Sequence, residues 1–193
     1  MKAAFKSQVR GVLDPLVTFL VSARIHPNVL TALGVVFGGV AGYTAARGQL
    51  REAALWLLVS GLFDMLDGPV ARKAGLASRR GAFLDSILDR YAEGAFLAGL
   101  AWYFAEQGSP PSVLAVFAVM LGSLLVSYAR ARSEGLGLEC QVGLMERPER
   151  LVVLIVGSLI GGPVLPVFLW ILAALTHVTA AQRIVHVYRN LES

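Results

Sequence analysis

Long apolar stretches, broken by short clusters of glycine, proline and charge, set the rhythm of this chain. The pattern predicts six spanning helices, each near the roughly 20 residues that a bilayer core requires. The first follows His26-Pro27-Asn28 and runs to about Arg47, with proline at a helix start. The second covers about Arg51 to Gly75, the third about Arg79 to Glu106, and the fourth starts at Pro110-Pro111 and continues through Glu134. The fifth, a short one, begins at Arg147-Pro148 and stops at Gly161-Gly162-Pro163; the sixth runs on to about Tyr188. Residues 1–25 carry Lys2, Lys6 and Arg10 beside apolar positions and predict an amphipathic helix lying at the interface. Asp14 and Pro15 interrupt its apolar run, so it reads as a retained segment and not a cleaved signal. The expectation is an all-α integral membrane protein: one domain over 1–193, with residues 26–190 forming a six-helix transmembrane bundle.

Composition supports that setting. Of 193 residues, 56% are hydrophobic and only 16% charged, against roughly a quarter charged in soluble domains. All Lys and Arg except Arg47, Arg51 and Arg90 fall on the side that carries both termini. The positive-inside rule therefore orients both termini towards the cytoplasm, in a cytoplasmic (inner) membrane. The net charge of +4 reads as orientation plus anion binding, and no soluble basic module for nucleic acid is present. A single cysteine, Cys140, excludes an intrachain disulfide and a multi-cysteine metal site.

Against this apolar background stand Asp64, Asp67, Asp85 and Asp89. A carboxylate at bilayer depth costs about 2.5–3.5 kcal/mol on insertion scales, so four require a function. Asp64 and Asp67 are three apart and Asp85 and Asp89 four apart, so each pair shares a helix face. Two such helices facing each other converge the carboxylates, and hard oxygen ligands suit Mg²⁺, Mn²⁺ or Ca²⁺. Pairing with Arg72, Arg79, Arg80 or Arg90 is the structural alternative. A cation transporter is the alternative of another class; against it, the acids cluster near one end of their helices and trace no path across.

The stretch from Asp64 to Asp89 reads D-x2-D-G-x2-A-R-x8-G-x3-D-x3-D. This resembles the signature of the CDP-alcohol phosphotransferase family of integral membrane enzymes. The resemblance implies cleavage of a CDP-linked lipid, CDP-diacylglycerol, at its pyrophosphate, release of CMP and transfer of the lipid phosphate to an alcohol. It further implies two Mg²⁺ ions, with Mn²⁺ as a substitute. Asp64, Asp67 and Asp85 would be metal ligands, and Asp89 would be shared between a metal and the acceptor hydroxyl as general base. Gly68, Ala71, Arg72, Ser78 and Gly81 would meet the CDP-lipid. A homodimer is implied as well.

The segment SYARARSEGLGLECQVGLMERPER resembles the branch of that family that uses inositol phosphate as acceptor. Carried over by position, Arg130, Arg150 and Arg183 would grip the acceptor's phosphate, a task suited to guanidinium forks. Glycerol 3-phosphate is an alternative phosphorylated acceptor, and an archaeal-type ether lipid an alternative donor. Asn28 and Thr31 read as caps of the first span. Gly34, Gly38 and Gly42 form G-x-x-x-G steps for close packing within the chain. Trp56, Trp102, Tyr103 and Trp170 read as interfacial aromatics.

Overall fold

The computed structural model of the protein describes residues 13–191 and is all-helical, with no strand among them. Lys2, Lys6 and Arg10 lie outside the described residues. The helices are α1 (Leu13–Ser22), α2 (Pro27–Ala46), α3 (Leu50–Lys73), α4 (Arg79–Glu106), α5 (Pro110–Glu134), α6 (Arg147–Ile160) and α7 (Val164–Leu191). Pro27, Pro110 and Pro148 each sit in the first turn of their helix, where a missing N–H goes unnoticed. Positive-φ glycines follow the ends of α2, α3 and α6 at Gly48, Gly75 and Gly161. His26, and neither Asn28 nor Thr31, caps α2: its Nδ1 accepts from the Asn28 N–H at 3.2 Å.

Among the described residues, four helices, α2, α3, α5 and α7, are long and apolar enough to cross a membrane. The other two expected spans fall short for separate reasons. α4 has ample length at 28 residues, but Arg79, Arg80, Asp85, Asp89, Arg90 and Glu93 load its N-terminal part, up to the midpoint, with charge. α6 has only 14 residues, about 21 Å at the helical rise, before Gly161 and Gly162 turn the chain. The bundle nevertheless leaves many large apolar side chains exposed on its sides, among them Val36, Leu55, Phe117, Leu121, Val167 and Ile171. Such a belt needs an apolar surround.

α2 packs against both α3 and α4, α5 packs against α7, and α6 lies against α3 and α7. The α2–α4 contact is glycine-made, as the G-x-x-x-G steps predict. A Cβ on Gly38 would lie 2.7 Å from that of Ala92, one on Gly42 would strike the Ala95 carbonyl, and one on Gly99 the Gly42 carbonyl. Ser60 ties α3 to α2 by donating to the Gly34 carbonyl at 2.7 Å. Trp56 lies on Phe37, and Phe63 also stacks on Phe37, with 5.4 Å between ring centroids in both pairs. The main core is an aliphatic and phenylalanine cluster from α2 to α7, including Leu57, Phe96, Leu100, Val116, Leu154 and Leu169. α1 belongs to a second cluster, burying Val17 and Leu20 against Leu30, Leu66 and Val70. Its opposite side exposes Leu16 and Phe19, while Asp14 pairs with Lys73 at 2.8 Å.

Candidate active site

Asp64 and Asp67 project from α3 and Asp85 from α4, and carboxylate oxygens of the three lie within 4.8 Å of one another. The i, i+3 spacing and the approach of the two helices place them as the sequence predicts. Asp67 is buried and accepts from the Thr31 hydroxyl on α2 at 2.7 Å. Asp85 Oδ1 is buried without a hydrogen-bond partner. Between Asp64 and Asp89 sits the guanidinium of Arg147, whose Nη1 is in ion-pair contact with Asp64 and lies 3.0 Å from Asp89.

This arrangement fits a divalent cation. The donors are hard carboxylate oxygens, one of them orphaned, and the chain itself already presses a positive charge against the cluster. Asp64, Asp67 and Asp85 could hold such an ion. Asp89 stands one helical turn beyond Asp85, outside the group of three but in the wall of the same small pocket, together with Thr31, Ser60 and Arg147.

Asp85, Asp89 and Arg147 also form one wall of a larger cavity of about 490 Å³. Its other walls bring together Arg130 from α5, Arg150 from α6 and Arg183 from α7, with Arg90 and Ser127 between them. The three arginines predicted as a phosphate clamp therefore share one space, but their states differ. Arg130 is exposed and pairs with Glu134 at 2.9 Å, one turn along α5. Arg183 is buried and donates to the carbonyls of Val142 and Val126 at 2.9 and 2.8 Å. Arg150 is 2% exposed and is held by both oxygens of Glu93, each at 2.8 Å. A separate groove of about 740 Å³ between α7 and the α5–α6 loop is largely apolar and carries no carboxylate.

The residues expected to meet the CDP-lipid lie where α3 ends and α4 begins. Arg72 is exposed and folds its guanidinium back over Gly68, whose added Cβ would lie 3.3 Å from Nη1. Ala71 is half-buried beside it. Ser78 caps α4, its Oγ accepting from the Gly81 N–H at 3.1 Å. A Cβ at Gly81 would meet that same Oγ at 3.2 Å.

Three residues of the site escape a reading of the sequence alone. Thr31 looks like a cap and instead orients Asp67. Arg147 looks like an orientation signal and instead neutralises Asp64 and Asp89. Glu93 carried one overlooked signal: it continues the Asp85, Asp89 spacing by one more turn, so all three share a stripe of α4.

A family model for CDP-alcohol phosphatidyltransferases matches residues 24–182. Among curated relatives, phosphatidylinositol phosphate synthase of Mycobacteroides abscessus is 38% identical over 179 residues, covering 89% of this chain and 81% of the relative. Archaetidylinositol phosphate synthase of Methanothermobacter thermautotrophicus is 34% identical over 192 residues, covering 97% and 94%. Among solved structures, phosphatidylinositol phosphate synthase of Mycobacterium tuberculosis with CDP-DAG bound superposes with a TM-score of 0.84 at 34% identity, covering 90% of this chain and 92% of that one. The same enzyme in complex with manganese and citrate also gives 0.84, with coverage of 90% and 88%. The chain belongs to the CDP-alcohol phosphatidyltransferase family.

Proposed function

We propose that this protein transfers the phosphatidyl group of CDP-diacylglycerol to a hydroxyl of inositol phosphate, releasing CMP. The observation that carries the reading is the shared wall: Asp85, Asp89 and Arg147 belong both to the carboxylate pocket and to the cavity lined by Arg130, Arg150 and Arg183. A donor pyrophosphate held at the first would meet a phosphorylated alcohol held in the second. Relatives named for phosphatidylinositol phosphate synthesis, and a solved one carrying CDP-DAG, support the same assignment.

Bound divalent ions, Mg²⁺ or Mn²⁺, at Asp64, Asp67, Asp85 and Asp89 would neutralise pyrophosphate charge and stabilise the departing CMP. The chain's own part begins with placement. Arg130, Arg150 and Arg183 hold the acceptor's phosphate, and Asp89 takes the proton of its attacking hydroxyl. The acceptor oxygen then bonds to the lipid-side phosphorus as the bond to CMP breaks. Gly68, Ala71 and Gly81 leave room for the nucleotide, while Arg72 and Ser78 supply donors beside it.

The architecture we propose is six spans with an interfacial α1. α4 turns Asp89 and Glu93 inward to Arg147 and Arg150, and α6 starts at the depth of the site. Both termini and the cavity mouth face the cytoplasm of a cell's inner membrane, following the distribution of Lys and Arg. A second reading keeps every residue role and changes the donor to an ether lipid. It is favoured by the archaetidylinositol phosphate synthase that covers 97% of this chain.

The test is CMP release by purified protein with Mg²⁺ and either CDP-diacylglycerol or its ether analogue, with inositol phosphate, glycerol 3-phosphate or free inositol. Release with inositol phosphate alone supports the assignment, and the preferred donor decides between ester and ether. Release with glycerol 3-phosphate instead overturns the acceptor. No release with any pair overturns transfer itself.

A further inference from the structure

Arg150 poses a problem that its predicted role does not solve. A clamp for a phosphate dianion should be cationic, yet this guanidinium is already paired with a carboxylate. The geometry explains how both can be true. Guanidinium has five N–H donors in a planar fork. Glu93 takes one edge of that fork, with Nε donating to Oε1 and Nη2 to Oε2, both at 2.8 Å. Nη1 reaches the Met145 carbonyl at 3.4 Å. Each of the two Nη nitrogens keeps a second N–H. Arg150 stands in the wall of the 490 Å³ cavity and Glu93 does not, so the carboxylate grips the fork from behind that wall.

We propose that Glu93 is a positioning residue that sets affinity for the phosphorylated acceptor by fixing the Arg150 fork with its free donors towards the cavity. An arginine side chain has four soft torsions, and a phosphate that had to order them would bind more weakly. Held bidentately among buried neighbours, the fork is ordered before the acceptor arrives. Glu93 also sits one turn beyond Asp89 on α4, so the acceptor's phosphate is gauged from the same rigid helix that carries Asp85 and Asp89. This inference rests on the acceptor reading above; it requires the acceptor's phosphate and not inositol itself.

The full chain in detergent or nanodiscs is assayed by CMP release, varying inositol phosphate at saturating CDP-diacylglycerol and then the reverse. Glu93→Asp keeps the charge but is one methylene too short to hold both nitrogens. Its KM for inositol phosphate rises about tenfold or more, as expected when a binding group is displaced by about an ångström, while the donor KM stays within about twofold. Glu93→Gln behaves likewise if it folds, which its melting temperature reports; if it does not, the Asp variant carries the test. A merely structural pair would raise both KM values together or lower only stability, and either result overturns the proposal. Arg150→Lys separates the two levels. If it raises the acceptor KM and Glu93→Asp does not, the acceptor site stands and the positioning role falls. If wild type accepts free inositol as well as its phosphate, the acceptor reading falls and this inference with it.

Discussion

Replacing Thr31 with valine isolates one buried interaction of the carboxylate cluster. Valine matches threonine in shape, so the change removes the hydroxyl and little else. That hydroxyl donates to Asp67 Oδ2 at 2.7 Å, in a place where Thr31 is 9% and Asp67 6% exposed. A hydrogen bond to a charged acceptor is worth about 1.5–3 kcal/mol. At 1.4 kcal/mol per factor of ten, its loss corresponds to about ten- to hundredfold. Outer partners of metal ligands carry about the same 10–100-fold in metal affinity, because they fix the ligand's rotamer before the ion arrives. Calorimetric titration of Mn²⁺ into detergent-solubilised Thr31→Val should therefore show weakening in that range. Thr31→Ser, which keeps the hydroxyl and loses a methyl, should stay within about threefold of wild type by the same reasoning. Wild-type Mn²⁺ affinity in the valine variant would refute the orienting role. Equal weakening in both variants would assign the effect to packing.

Two further predictions follow from other contacts. Arg147→Gln removes the cation lying between Asp64 and Asp89, so the metal-free protein should melt earlier and gain more from Mn²⁺ than wild type does; equal Mn²⁺-induced shifts in melting temperature would contradict this. Gly99→Ala drives a Cβ onto the Gly42 carbonyl, and such overpacking should cost about 1–3 kcal/mol, whereas Gly39→Ala, with nothing within 4 Å, should melt like wild type.

The helices were legible in the sequence because their signals are local. Pro27, Pro110 and Pro148 open helices, Gly48, Gly75 and Gly161 close them, and the predicted third span from Arg79 to Glu106 coincides with α4. The aspartate cluster was legible for a similar reason, since spacings of three and four fix a helix face whatever the partner. Contacts between distant segments were not. Thr31 meets Asp67 across 36 positions and Arg150 meets Glu93 across 57, and nothing local marks either as a pair. Arg147 was masked by its setting, because a basic residue at a helix start, on the side where most Lys and Arg gather, already has an explanation. Span counting by apolar length is blind in the same way to α4, whose Asp89 and Glu93 pair with Arg147 and Arg150 on α6.

That compensation gives the site an arithmetic. Asp64, Asp67, Asp85, Asp89 and Glu93 bring five formal negative charges, and Arg90, Arg147 and Arg150 return three, leaving −2 at the junction of α3, α4 and α6. Such an excess inside an apolar bundle repels itself and would repel a pyrophosphate as well. One divalent ion only cancels it, and two reverse it to +2. Only the second sum favours an incoming pyrophosphate, which supports a pair of ions over a single one at these carboxylates. Arg147 is the movable entry in the sum. Its guanidinium lies in the walls of both the small pocket and the arginine cavity. If divalent ions displace it from Asp64 and Asp89, its charge passes to the cavity where a phosphate would bind. Cation binding on one side of Asp89 would then strengthen anion binding on the other, through a single side chain at the start of a helix too short to span the membrane alone.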